Sequence, residues 1–200
     1  HWIDKLISSD SKIRVNSQQD MCSDMQGGVY VTWYADGAAD DGNYYGVHLK
    51  ADGSATVPEI LIDTDNDYGN VSLESAGDGD AVIAWKEGPM YSENIYAQRL
   101  RYTSNTINKV WNSGNPLGVC ISGGSQLAPK VTYYSDEYVV VVWEDWPSLS
   151  VSGIGANFIS SSGNLQFDSS GDADLVYSME SASTPFPRVK ASATGAFVVW

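Results

Sequence analysis

The chain has 200 residues, 25 of them acidic and 11 basic, for a formal net charge of −14 and a pI near 4.2. Apolar residues make up 42% of it and aromatics 12%, with seven Trp and twelve Tyr, which is material for a sizeable core and excludes a disordered chain. The acidity excludes nucleic acid as a partner and disfavours anionic membrane surfaces, since both are met by clustered Lys and Arg. The longest apolar runs, such as residues 138–143, are far too short to span a membrane.

Predicted elements follow one another in a cycle. Residues 3–8 read as an outer strand of a unit begun elsewhere. The turn cluster Gln26-Gly27-Gly28 then leads into an apolar strand at 29–33 that ends in Trp33. A further strand follows at 45–50, a turn at Gly53, and a fourth strand at 59–62. The second pass has strands at 70–73, 81–85, 96–101 and 117–121, with turns at Gly77-Asp78-Gly79-Asp80 and Ser104. A third pass has strands at 130–133, 139–143, 155–160 and 175–178, with turns at Ser135-Asp136-Glu137 and Gly163. A fourth begins with 188–190, Ala193-Thr194-Gly195 and 196–200. Pro129 and Pro187 precede two of the first strands, where a missing N–H is tolerated.

Tryptophans 33, 85, 143 and 200 mark the same place in each pass, at intervals of 52, 58 and 57 residues. The strand that ends in each Trp is apolar at consecutive positions, so both of its faces must be covered. Four-stranded antiparallel sheets stacked face to face around an axis do this, and no helical periodicity competes with it. A β-sandwich is the rival, but it needs roughly 100 residues per domain. The fold class is therefore all-β: β-propeller blades with a period of about 56 residues, part of a larger propeller. The divisions are an outer strand at 1–8, blades at 9–65, 66–124 and 125–182, and half a blade at 183–200. A start at His1-Trp2 and an end inside an apolar strand lead to the expectation of a longer native polypeptide. Cys22 and Cys120 fall on different kinds of strand in different units and are expected as buried free thiols.

The motifs Gly27-Gly28-Val29-Tyr30-Val31-Thr32-Trp33, Tyr138-Val139-Val140-Val141-Val142-Trp143-Glu144-Asp145 and Ile95-Tyr96-Ala97-Gln98-Arg99-Leu100 carry a family resemblance. With Trp111-Asn112-Ser113-Gly114, echoed by Phe167-Asp168, the repeat resembles those of large secreted bacterial surface proteins. These are multidomain proteins of Bacteroidetes-like bacteria, exported by the type IX route. The likeness covers nearly the whole chain. It implies a secreted or cell-surface setting and a role in adhesion, glycan binding or scaffolding. It supplies no catalytic motif.

Two kinds of residue are candidates for function. Asp63, Asp65 and Asp67, before Gly69, alternate oxygen ligands as Ca²⁺ requires, although Tyr68 and the lack of flanking helices set them apart from an EF-hand. The competing reading is a solvated acidic loop; Asp36, Asp40 and Asp41 form a weaker cluster of the same kind. The aromatics Trp146, Tyr44, Tyr45 and Tyr91 break the repeat or sit in its loops, where a sugar ring would stack on them while hydroxyls meet nearby polar groups. The partners expected are a glycan, a surface protein or neighbouring domains of the same polypeptide.

Enzymatic readings have less behind them. No segment matches the sialidase pattern Ser-x-Asp-x-Gly-x-x-Trp. The copper pairing of an N-terminal His with a second His would need His48, which stands at an ordinary repeat position. No catalytic triad is in view. The alternative function is a carbohydrate-active enzyme, a glycosidase or lyase, with its catalytic residues outside these 200.

Overall fold

A computed structural model describes residues 19–37, 40–56, 59–62, 68–135, 137–167, 175–179, 186–192 and 195–200. The first sheet runs β1 (Gln19–Ser23), β2 (Val29–Gly37), β3 (Asp40–Leu49) and β4 (Glu59–Ile62), in that spatial order and antiparallel throughout. The second contains β5 (Tyr68–Ser75), β6 (Asp80–Glu87), β7 (Asn94–Thr103), β8 (Thr106–Lys109) and β9 (Leu117–Cys120). The third is β10 (Ser125–Ser135), β11 (Tyr138–Ser148), β12 (Val151–Ser160) and β13 (Leu175–Met179), and a two-stranded sheet follows with β14 (Arg188–Ser192) and β15 (Gly195–Val199).

The first strands of successive sheets lie against one another, β1 on β5, β5 on β10 and β10 on β14. Hydrogen bonds stitch this inner row: Leu73 N donates to Asp20 Oδ2 at 2.8 Å and Val131 N to Ser72 Oγ at 3.2 Å. Sheets that touch through their first strands and splay outwards are β-propeller blades, as the repeat requires.

The second strands carry the core between blades. Ala81, Val82, Ile83 and Ala84 are all 0% exposed. Ala81, Ile83 and Trp85 pack with Cys22, Tyr30, Tyr44 and Leu61 of the first blade, whereas Val82 and Ala84 pack with Val139, Val141 and Trp143 of the third. Consecutive apolar residues thus serve two seams, each large side chain contributing about 1.5–3 kcal/mol when fully buried. Trp33, Trp85 and Trp143 are buried, and the first two stack on Tyr45 and Tyr96 of their third strands. Trp200, directly after β15, is 53% exposed; among the described residues its sheet has the two strands β14 and β15.

Two further details differ from the sequence reading, and one agrees with it. The outer edge of the second blade is split: β8 pairs with the last residues of β7 and β9 with its first ones. Single bridges at Leu49–Ala55 and Ile159–Leu165 mark the same split in the other two blades. Pro129 lies inside β10 at a register shift between Leu127 and Lys130, beside Ala128 with φ +49°, so a bulge rather than a strand start accommodates the missing N–H. Cys22 and Cys120 are buried free thiols, and burial pushes the Cys120 thiol up to about 11.

Candidate functional site

Strand β11 runs on past Trp143 to Ser148, with a register shift after Asp145 that lets Pro147 sit at the sheet's end. The same rim carries the connection from β9 to β10 and the loop from β6 to β7. Where these meet, Tyr91, Gly124, Ser125, Leu127, Trp146, Pro147, Ser148 and Leu149 line a cleft of about 510 Å³. Two blades contribute to it: Tyr91 comes from the second and Trp146 from the third.

Local chemistry explains the shape. Gly124 has φ +91°, and a side chain there would overlap the Trp146 carbonyl and come within 2.8 Å of Pro147 Cα, so only glycine lets these backbones approach. Across the cleft, Ser92 N donates to Pro89 O at 2.9 Å, closing a tight turn in which Tyr91 is the third residue. Tyr91 has φ +69°, a left-handed conformation usually given to Gly or Asn and costing other residues roughly 1–2 kcal/mol. Tyr91 is 68% exposed, so packing does not compensate for that strain. Strained backbone of this kind clusters at ligand clamps and switch regions.

Three buried carboxylates, Glu93, Glu144 and Asp145, lie next to lining residues in the chain or across the sheet, with different surroundings. Glu93 accepts hydrogen bonds from Ser125 Oγ and, at 3.3 Å, from Lys86 Nζ, while its carbonyl receives Gln126 N at 2.9 Å. Burial pushes this carboxyl up, but the Ser125 hydroxyl, its own backbone N–H and the Lys86 amine outweigh that and hold it below the usual range. Glu144 and Asp145 are raised by burial, which Phe186 N at the first and Gln126 at the second offset only in part. They project to opposite faces of β11: Glu144 accepts from Phe186 N at 3.1 Å, and Asp145 accepts from Gln126 Nε2 at 3.1 Å.

Of the four aromatics singled out from sequence, Tyr91 and Trp146 are brought together. Tyr44 is not, and its placement is a correction: β3 begins at Asp40, so Tyr44 is inside the sheet, 2% exposed and packed with Tyr30 and Leu61. Tyr45 is half-buried with its ring stacked on Trp33 at 6.2 Å. Asp63, Asp65 and Asp67 lie outside the described residues. Among the described residues no group of three or more His, Cys, Asp or Glu side chains is placed to hold a metal ion. His48 is buried in the first seam, with Nε2 2.9 Å from Asp24 Oδ2. Sequence reasoning missed Ser125, Pro147 and Leu149, although an exposed Leu149 in a Ser-rich loop beyond Trp146 was a signal available there.

Fold and site define a protein of stacked propeller blades with an aromatic cleft on one rim. No protein-family description matches the chain, and no curated protein matches its sequence. Among solved structures it is similar to the endo-arabinase from Bacteroides thetaiotaomicron VPI-5482, at 13% identity and a TM-score of 0.43. That match covers 86% of this chain and 66% of the endo-arabinase, so the chain spans just under two thirds of that protein.

Proposed function

We propose that this chain is a binding module in which the cleft between Tyr91 and Trp146 takes a sugar ring of a glycan. The observation that carries the reading is the cleft itself: two aromatic side chains from adjacent blades line one cavity of about 510 Å³, and one of them is held in a strained backbone conformation. A sugar presents an apolar face that stacks on such rings, while Ser125 and Ser148 stand at the wall for its hydroxyls. The rigid blades pre-position the two loops, so little ordering is left to oppose binding. Display outside the cell, as adhesion or scaffolding, rests on the resemblance of the repeat to surface proteins. A glycosidase would require two carboxyl groups facing one sugar. Glu144 and Asp145 face opposite ways, which favours binding over turnover at this cleft.

The test is calorimetric titration with a panel of oligosaccharides, with product analysis alongside. At least one sugar is expected to bind without being cleaved, and Trp146→Ala to weaken it by about tenfold or more, as loss of a buried aromatic anchor does. Tyr91→Gly is the sharper variant. It relieves the left-handed strain, so the melting temperature should hold or rise while binding falls. Unchanged binding in both variants, or no binding by any sugar at millimolar concentration, would sink the reading.

A further inference from the structure

The charge around the cleft narrows its ligand class. Among the described residues no Lys, Arg or His lines it. The Lys86 amine, on neighbouring β6, is engaged by Glu93. Glu93 is bound to the lining residue Ser125, Glu144 is paired in register with the lining residue Leu127, and Asp145 directly precedes Trp146. Glu93 is thus bonded to the wall itself, while Glu144 and Asp145 adjoin lining residues on the two faces of β11, in a chain of net charge −14. An acidic sugar needs a bidentate Arg or a cluster of N–H donors for its carboxylate. Here a second negative charge would instead be brought towards fixed ones and stripped of water.

We infer that the cleft selects uncharged oligosaccharides and rejects those bearing uronic or sialic acid carboxylates, a discrimination made by the buried carboxyl groups beside Ser125, Leu127 and Trp146. This rests on the reading of the cleft as a sugar site. The aromatic rings supply affinity and the carboxyl groups supply the exclusion, so the two can be separated by experiment.

The probes are neutral hexasaccharides of β-1,4-linked glucose, xylose and mannose, set against hexagalacturonate, titrated into the whole chain. A neutral hexasaccharide should bind about tenfold or more tightly than hexagalacturonate, since like charges brought together at an interface are strongly unfavourable. The gap should narrow between about 20 mM and about 500 mM salt, because screening shortens the reach of the carboxyl groups. Ser148→Lys places a cation on the wall and should narrow the ratio of neutral-sugar to hexagalacturonate affinity several-fold, whatever it does to the affinity of either alone. Equal or tighter binding of hexagalacturonate to the unaltered chain would overturn the charge selection and leave the sugar site standing. Failure of every probe, neutral and acidic alike, would overturn both.

Discussion

At the seam between the first and second blades, His48 lies between Tyr30 of its own sheet and Tyr102 of the next, its ring 4.4 Å from that of Tyr102, with Asp24 on its Nε2. At the seam between the second and third, Arg99 takes that place, donating to Asp80 at 2.6 Å and reaching across to Ser161 O at 3.1 Å. The two positions are equivalent, since His48 pairs with Tyr30 and Arg99 with Val82, each three residues before the repeat's Trp. The third blade puts Phe158 there, edge-on to Tyr134. The acid moves as well. Asp24 and Ala76 open equivalent turns, and Gly28 and Asp80 close them. One blade supplies the carboxylate at the start of the turn and leaves Gly at its end, while the next reverses the two. Where this position holds a polar ring or guanidinium, a carboxylate meets it, from either end of the turn.

The seam with Arg99 is the more fragile of the two when its acid is removed. The Asp80 side chain is 1% exposed and that of Arg99 8%, while Arg101, which also bonds Asp80, is 47% exposed and can turn to water. Asp80→Ala would leave the Arg99 guanidinium buried and uncompensated, which costs about 3–5 kcal/mol. Urea denaturation should show this as a lower midpoint with an unchanged slope. A loss under 1 kcal/mol would mean that Ser161 O and water suffice for Arg99 without the acid.

The reversed turn makes its own prediction at Gly28. A Cβ there would fall on Asp24 Oδ2 and come within 2.6 Å of Leu49 O and 2.9 Å of His48 Nε2. Gly28→Ala should therefore destabilise by about 1–3 kcal/mol, as overpacking does, even though the backbone conformation itself admits alanine. The equivalent place in the next blade holds a full aspartate, so the cost arises from Asp24 and His48 rather than from the turn. Asp24→Gly in the Gly28→Ala background should recover part of the loss, and no recovery would place the clash on Leu49 O and His48.

Much of this fold was legible because the signal repeats: a Trp after four or five apolar residues keeps its register, and consecutive apolar positions can only mean a strand buried on both faces. What the sequence did not disclose depends on single blades. The extension of β11 to Ser148 runs through a register shift after Asp145, beyond the apolar run at 139–143 that marked the strand in sequence. The split outer edge of β8 and β9 hides in polar residues with no alternation. Tyr91 and Trp146 were visible as loop aromatics, yet Tyr44 looked the same until β3 was seen to start at Asp40. The exchange of acid between positions 24 and 80 was concealed because it crosses a turn, where equivalence by sequence offset is weakest.

The smallest expected effect separates the two seams by pH. Burial alone would push the Asp24 carboxyl up. Hydrogen bonds from Gln26 N at 2.7 Å, from His48 and from Gly28 N at 2.7 Å outweigh it and hold the group below its ordinary value. A carboxyl depressed in the folded state contributes stability above its unfolded pKa of about 3.9 and loses it as pH falls through the folded value. Asp24→Asn keeps an acceptor for the two backbone N–H groups but gives up the charge, so it should cost about 1 kcal/mol at neutral pH. That difference should hold steady down to about pH 5 and then shrink towards zero as the native Asp24 takes up its proton. Glu144 and Asp145 act in the opposite sense: raised by burial, they favour the fold more as pH falls, so Asp145→Asn should stabilise most at high pH and least near pH 4. Urea midpoints for the two variants, taken across pH, should therefore diverge from wild type at opposite ends of the range. Parallel curves would show that neither carboxyl differs in its protonation between folded and unfolded chain, and that the carboxylates of the first seam and of the rim are electrostatically alike.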